Sequence, residues 1–287
     1  MEKGAQELQK NYSQLLNISD FFDGQYNNLF DSKFLFEKAE KNFDFNNLVI
    51  IKKMDWDTTF FKISCHRLFF LKFNFKNFNL TDKNIDFIFC RTNSNNIDFL
   101  NILFKNNFFI VNAKVFMYKK VSYNNLIGKN IFDIKKNPIS YDILTKISEG
   151  AFRTGRFYKD RRFEKSKADQ VYSNWIFDHL NSENCRLFYY KNETGKICGF
   201  IAVSINIPFP SENFKVGFVQ LVCTDYEERK KGLASKLLAF AENYLAENQI
   251  EHFYSNTTFD NFSSIMLFIK NGFIVYNSIY ELHWWKK

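Results

Sequence analysis

The sequence offers no framework of covalent or metal staples. Its five cysteines, Cys65, Cys90, Cys185, Cys198 and Cys223, are odd in number, scattered and without C-x-x-C spacing. That pattern reads as reduced, mostly buried thiols of a cytoplasmic protein and argues against a disulfide scaffold or a zinc site. The four histidines are equally dispersed and no pair has metal-ligand spacing, so no metal is expected. Long apolar runs are lacking too. No uninterrupted segment approaches spanning length, and Met1-Glu2-Lys3-Gly4 opens without an apolar signal core. A soluble, cytoplasmic chain with no membrane partner is the expectation. There is no dense Lys/Arg run, no zinc-finger spacing and no RNP-like aromatic motif, which disfavours nucleic acid as a partner. Of only three prolines, two fall in Asn206–Asn213, which reads as a loop.

What is abundant is phenylalanine, 37 residues in 287, alongside many Asn, Lys and Ile. An AT-rich genome explains that quartet more economically than a Phe-dependent function, so the aromatic count does not argue for base stacking. The hydrophobic fraction of 46% fits a globular protein, and the length allows one large domain or two modest ones, each with a core. The net charge of +8 is spread along the chain and suits an anionic small ligand such as a nucleotide or coenzyme.

Periodicity gives an α+β order of elements. A helix-like patch covers Ser32 to Lys41, and strands are expected at Leu48–Lys53, Arg67–Phe75 and Asp86–Arg91. A helix follows at Ile97–Lys105, then an alternating stretch from Phe108 to Lys119. The polar run Ser122–Asn137, closed by Pro138, reads as a linker. Beyond it, helices are expected at Tyr141–Ala151 and Lys165–Leu180. Strands at Cys185–Tyr190 and Ile197–Ile205 are separated by turn signals at Asn192 and Gly195. The strand Val216–Val222, a helix Leu233–Glu247, a strand His252–Asn256, a helix Phe262–Lys270 and terminal strands from Phe273 complete the order. The expected domains are an N-terminal α/β domain over 1–125, a linker over 126–140 and a C-terminal domain over 141–287. Lys105-Asn-Asn-Phe-Phe-Ile-Val111 echoes Lys270-Asn-Gly-Phe-Ile-Val275. Either the halves are related and the first is a degenerate copy without the chemistry, or two short, biased segments match by chance.

The most informative run is Glu228-Arg229-Lys230-Lys231-Gly232-Leu233-Ala234-Ser235, between the apolar strand and the helix ending near Glu247. First-turn amides have no intrahelical partner and the helix dipole adds positive charge there. Gly232 and Ala234 let oxygens approach the backbone, and Arg229, Lys230 and Lys231 supply charge. The turn reads as a pyrophosphate cradle; the competing reading is a solvated helix cap.

Arg229-Lys-Lys-Gly232-Leu-Ala234 resembles the R/Q-x-x-G-x-G/A coenzyme A motif of the GNAT acyltransferase superfamily. Asn261-Phe-Ser-Ser264-Ile-Met-Leu267-Phe268-Ile-Lys-Asn-Gly272-Phe273 resembles its N-x-x-A-x-x-L-Y-x-x-x-G-F segment. Together they extend the resemblance over roughly Tyr141 to the C-terminus. Asp55-Trp56-Asp57-Thr58-Thr59-Phe60-Phe61 is similar to the W-D-S-x-F-F-G signature of dTDP-fucosamine acetyltransferase-like enzymes. Ala151-Phe-Arg153-Thr-Gly-Arg156-Phe157-Tyr158-Lys159-Asp160, with Phe163, Ala168, Asp169, Tyr172 and Trp175, resembles their A-F-x-x-S-R-F-h-x-D segment. The resemblance implies a GNAT fold, a central, largely antiparallel splayed sheet flanked by helices, with a smaller N-terminal α/β domain as a degenerate GNAT-like half.

It also implies an acyl-CoA-dependent N-acyltransferase whose acceptor is a dTDP-linked 3-amino- or 4-amino-dideoxyhexose of bacterial surface polysaccharide. In that scheme Arg229, Lys230, Lys231, Gly232, Leu233, Ala234 and Ser235 hold the pyrophosphate. Backbone groups from Val222 to Thr224 pair with the pantetheine arm, and the Val222 amide could polarise the thioester. Asn261, Ser264 and Phe268 reach the coenzyme from the other side, although Asn261 also reads as an ordinary helix N-cap. Phe268 departs from the family Tyr that protonates the leaving thiolate. Either another donor serves, with Tyr189, Tyr190, Tyr276 and Tyr280 as candidates that also read as core aromatics, or the thiolate leaves unassisted. The change is also a hint towards an acyl group larger than acetyl, such as hydroxybutanoyl. No base is assigned beyond water.

On the acceptor side, Arg153, Arg156, Lys159, Arg161 and Arg162 lie in one loop where guanidinium forks suit a diphosphate, and Phe157 and Tyr158 could stack on thymine or sugar. The bland alternative is a solvated basic loop anchored by its Phe residues. Trp56 and Asp57 are expected either at the nucleotide or in an anchored turn. Two other functions stay open: a GNAT enzyme acting on a protein or peptide amine, and a non-catalytic coenzyme A-binding module. A homodimer is also left open.

Overall fold

The computed structural model describes residues 49–70, 84–123, 129–149, 151–209 and 212–287, with backbone alone at 49–50, 69–70, 206–209 and 212–215. In chain order the elements are β1 (Val49–Lys53), α1 (Asp55–Phe61), β2 (Cys65–Phe70), β3 (Phe87–Asn93), α2 (Ile97–Lys105), β4 (Phe109–Lys120), β5 (Ile131–Asp133), α3 (Tyr141–Ser148), α4 (Arg156–Lys159), α5 (Lys165–Asn181), β6 (Cys185–Lys191), β7 (Ile197–Phe209), β8 (Glu212–Thr224), α6 (Leu233–Glu247), β9 (His252–Thr258), α7 (Phe262–Lys270) and β10 (Ile274–Trp285). A 3-10 turn, Tyr226–Glu228, precedes α6.

The chain divides into two compact units. One takes residues up to Lys114 together with Asn277–Lys287, and the other takes Val115–Tyr276. The first unit orders its strands β1-β2-β3-β10-β4, with β2 and β3 parallel and β3 and β10 antiparallel. Alternation sends Leu68, Ile88, Cys90 and Leu282 to one face, where they pack on Phe99, Leu100 and Leu103 of α2. Helix α2 shows the i, i+3, i+4 apolar spacing that such a face requires.

The second unit orders its strands β4-β9-β8-β7-β6-β5, antiparallel from β5 to β8 and parallel between β8 and β9. One face carries Val203, Val219 and Phe253 against Leu237, Leu238 and Leu245 of α6, with Phe268 and Phe273 at the α7 end. The other carries Phe200, Ala202, Leu221 and Cys223 against Leu144 of α3 and Ile176 of α5. Helices therefore cover both faces of a mixed sheet, the α+β architecture expected.

Strand β3, α2 and β4 have seven, nine and twelve residues, and so do β9, α7 and β10. Asn96 and Asn261 cap the two helices by accepting the Phe99 and Ser264 amides. Asn106 and Asn271 close them, each with its Nδ2 on the carbonyl four residues back. The next residues, Asn107 and Gly272, both adopt left-handed φ, 64° and 86°, which Asn and Gly tolerate best. The echo in sequence thus falls on two strand–helix–strand stretches with equal element lengths and alike helix ends.

Several expected elements shift. Asp55–Phe61 is a helix. Asn206–Asn213 is mostly strand, the β7–β8 hairpin, with 210–211 outside the described residues. Pro208 is tolerated there because β6 pairs with β7 only as far as Ser204, leaving that edge of β7 without a ladder to break. Within the segment read as a linker, Ile131–Asp133 forms β5, and 124–128 are outside the described residues. The patch Ser32–Lys41 and the end of the strand expected to Phe75 also lie outside them.

Candidate active site

Strand β8 carries one residue too many for its partner. Ala202 pairs with Leu221 and Val203 with Val219, so Gln220 is a bulge, held by Nε2 donating to Ser204 Oγ at 2.8 Å. On the other side of β8, the parallel ladder with β9 runs from Val216–His252 to Val219–Ser255 and stops there. Both strands continue, to Thr224 and to Thr258. The strands therefore part after the bulge, and the β9-facing amides and carbonyls of Leu221–Thr224 stand outside any ladder. An extended chain of amides could complete such an edge. Val222 and Thr224 are half-buried here, and Val222 packs on the α6 core.

At the end of β8 the chain turns into α6. Lys230 and Gly232 have φ of 63° and 75°, and α6 has no side-chain cap. Its first helical bond is from the Lys236 amide to the Gly232 carbonyl. The amides before Lys236 thus point out of the helix end, and alternating left-handed residues make a concave run of N–H groups. A Cβ at Gly232 would meet nothing within 4 Å, so the ground above this turn is open. Arg229, Lys230 and Lys231 are exposed. Arg229 lies over the Tyr226 ring at 5.2 Å, and Lys231 bonds Glu228 at 3.0 Å.

The carboxylates beside this turn are occupied. Lys196 sits 3.1 Å from both Asp225 and Glu227. Burial works against ionisation of Asp225, yet the Lys196 hydrogen bond and the Glu227 amide outweigh it and hold the carboxyl below the usual range. A carboxylate so held is a poor base. Cys223 is no nucleophile either: burial pushes its thiol up to about 12.

The helix that bears the turn is fixed from inside. Buried Glu242 of α6 accepts from Lys119 Nζ at 2.8 Å and from the Ser122 amide and hydroxyl at 3.0 and 3.1 Å. Ser235 Oγ accepts from Asn271 Nδ2 at 3.0 Å, tying the α6 start to the α7 end. Sequence reasoning did not single out Asn271, although the Lys-Asn-Gly-Phe run held the signal. Asn261 caps α7 through Ser264 at 3.2 Å, its ordinary reading. Phe268 is 1% exposed and packs on Phe273 at 5.1 Å between ring centroids, so it presents no surface to a ligand.

The basic segment after α3 is not all loop. Phe152 stacks on Tyr172 at 4.6 Å, and Phe157 meets Phe163 edge-on at 5.2 Å. Arg156 is buried with its guanidinium 4.3 Å from the Phe157 ring. The exposed forks are Arg153, Arg161 and Arg162, with Tyr158 half-buried. Lys159 reaches Asp260 in the β9–α7 turn at 2.7 Å, a partner that sequence reasoning missed because nothing local announces it. Burial would raise the Asp260 carboxyl, but the Lys159 hydrogen bond holds it below the usual range. The second unit thus brings the basic segment to the splayed end of β9. Trp56 and Asp57 lie in α1 of the first unit, Trp56 stacked on Phe60 at 4.9 Å and Asp57 buried.

Of the tyrosines weighed as proton donors, Tyr189 gives its hydroxyl to the Asn137 carbonyl at 3.1 Å. Tyr190 packs partly buried on the α6 face, and Tyr280 packs in the first unit. Among the described residues no three His, Cys, Asp or Glu side chains converge as metal ligands would, and no helix is long and apolar enough to cross a membrane.

The parallel pair β8–β9 thus parts beside an open, basic helix N-terminus, which sets an unpaired strand edge next to an anion-favouring helix end. Residues 154–273 match the model of the Acetyltransferase (GNAT) family. Residues 154–273 thus carry a GNAT acetyltransferase domain, the domain of a family of acyltransferases that use acetyl-CoA as cosubstrate.

None of the curated proteins matches it. Among solved structures, it resembles the GCN5-related N-acetyltransferase from Sphaerobacter thermophilus with a TM-score of 0.54 and 10% identity, over 83% of this chain and 76% of that one. A functionally unknown conserved protein from Staphylococcus epidermidis ATCC 12228 gives 0.55 and 9%, over 87% and 97%. A Drosophila protein gives 0.55 and 9%, over 100% and 97%. At such identities the likeness is one of fold.

Proposed function

We propose that the enzyme transfers an acyl group from acyl-CoA to the amine of a dTDP-linked amino-dideoxy sugar, at C3 or C4, in the cytoplasmic assembly of bacterial surface polysaccharide. The observation that carries this reading is the Lys159–Asp260 bond. It tethers a segment with three exposed guanidinium groups, Arg153, Arg161 and Arg162, to the β9 end of the splay. Forked donors of this kind suit a diphosphate bidentately, and half-buried Tyr158 offers a ring beside them.

The donor, an acyl thioester, supplies an activated carbonyl. The chain's part is to hold it. The amides at the start of α6 and the charges of Arg229, Lys230 and Lys231 receive the pyrophosphate, and the open edge of Leu221–Thr224 pairs with the amide-bearing arm. An amide near Val222 offers a hydrogen bond to the thioester oxygen. Asp225 and Glu227 are committed to Lys196, so water accepts the proton of the acceptor ammonium. Acyl groups larger than acetyl, such as 3-hydroxybutanoyl, belong in the same test.

That test is turnover with acetyl-CoA and larger acyl-CoAs against dTDP-3-amino and dTDP-4-amino sugars. Acylated nucleotide sugar is the expected product, and Arg161→Ala with Arg162→Ala raises the acceptor KM about tenfold or more while the acyl-CoA KM stays. Transfer only to peptide amines, or coenzyme A binding without transfer, contradicts the reading.

A further inference from the structure

Tyr276 Oη, on β10, is buried and has no hydrogen-bond partner among the described residues, although buried hydroxyls in proteins are nearly always paired. Its ring lies 5.9 Å from that of Tyr254 and 6.4 Å from that of Phe116. Tyr254 is the registered neighbour of Phe218, and the next pair, Val219–Ser255, is the last before β8 and β9 part. Tyr276 therefore reaches across β4 to touch, through Tyr254, the closed end of the splay. A buried hydroxyl left unpaired calls for a partner other than the described residues. Thr258 lies on the same face of β9 as Tyr254 by strand alternation, and its Oγ1 is likewise buried without a hydrogen-bond partner among the described residues, which makes it a neighbouring control.

We propose that Tyr276 is the proton donor to the coenzyme A thiolate, the task that Phe268 cannot perform. The proposal rests on the acyl-transfer reading but not on the identity of the amine. The amine nitrogen forms its bond to the thioester carbonyl carbon as the C–S bond breaks with its electron pair on sulfur. The sulfur takes the Tyr276 proton, and the phenolate regains one from the ammonium through water. Amide and free thiol are the net products, with no further reactant. Burial raises the phenol's pKa, with Tyr254 adding to it, so the group holds its proton at neutral pH, as a donor must and a base cannot.

Tyr276→Phe tests this, with whichever primary amine the wild type acylates. Removing an unpaired buried hydroxyl removes a desolvation cost, so Tm is expected to hold or rise and coenzyme A affinity to stay within about twofold. Single-turnover acyl transfer is expected to fall on the order of 100-fold at neutral pH and to lose the solvent deuterium isotope effect of the wild type. Thr258→Val, which removes a hydroxyl from the same strand face, keeps that isotope effect. A Tyr276→Phe enzyme with unchanged rate, with a raised KM alone, or with the isotope effect intact overturns the proposal. If the nucleotide sugar fails but another amine is acylated, the acceptor assignment falls while this test still reads. A wild type that acylates no amine overturns both.

Discussion

Cys90 and Ser255 hold corresponding places in the two strand–helix–strand stretches. Each is the last partner of a parallel ladder of four registered pairs, Leu68–Cys90 closing one and Val219–Ser255 the other. Beyond these two residues the stretches differ. After Ser255 come Asn256, Thr257 and Thr258, and the opposing strand runs into the basic turn of α6. After Cys90 comes Arg91, buried and bonded to Glu281 at 2.9 and 2.6 Å, with Asn112 Nδ2 on the other Glu281 oxygen at 2.9 Å. One stretch has an ion pair where the other has neutral polar side chains.

Glu281→Gln should therefore destabilise the first unit and leave the donor site alone. Loss of one partner leaves the Arg91 charge buried and uncompensated, a cost of about 3 kcal/mol. Hydrogen exchange of the β3 and β10 amides should quicken, while coenzyme A affinity stays unchanged. A fall in coenzyme affinity would contradict the assignment of the donor site to the second unit.

The Lys159–Asp260 bond gives a pH-dependent contribution. Asp260 has a folded pKa below the unfolded value, so its stabilisation is fully present above the ordinary carboxylate pKa of about 3.9 and is lost as pH falls through the lower folded value. The Asp260 side chain is 48% exposed, so solvent screening limits the effect to under about 1 kcal/mol. Thermal melts of Asp260→Asn against wild type should show a small difference at pH 7 that begins to shrink below about pH 4. A difference that grows in acid would reverse the sign of the argument. Acceptor KM should rise in the variant, since the basic segment loses its tether.

Gly155→Ala should disturb the same segment by contact. A Cβ there would collide with Tyr172 Oη, and Tyr172 is held against Phe152 and Trp175. The expected result is a raised acceptor KM with unchanged coenzyme affinity, read by steady-state kinetics and calorimetric titration. Unchanged acceptor kinetics would place the segment away from the acceptor.

Helix ends are legible in the sequence, because Asn96, Asn261, Asn106 and Asn271 act within one turn of where they stand. So is the basic turn, since Gly232 and its neighbours form a local motif. The Gln220 bulge is not, because it exists only as a mismatch of count between β7 and β8. Nor is the tether: Lys159 and Asp260 are distant in sequence and meet only when the strands order. The return of Asn277–Lys287 to the first unit is hidden for the same reason, since β10 looks from its own residues like any alternating strand. A motif marks Phe268 as a ligand position, and packing puts it in the core.

The most direct measurement is calorimetric titration of coenzyme A into the wild type and Gly232→Ala. Gly232 adopts φ of 75° over open ground, where alanine costs about 1–2 kcal/mol of backbone strain and sets a methyl group where phosphate oxygens approach. The account expects one coenzyme per chain and an affinity at least about tenfold weaker in the variant, equivalent to about 1.4 kcal/mol, with Tm lowered only slightly. A variant that binds coenzyme A as tightly as the wild type would contradict the assignment of the pyrophosphate to the start of α6.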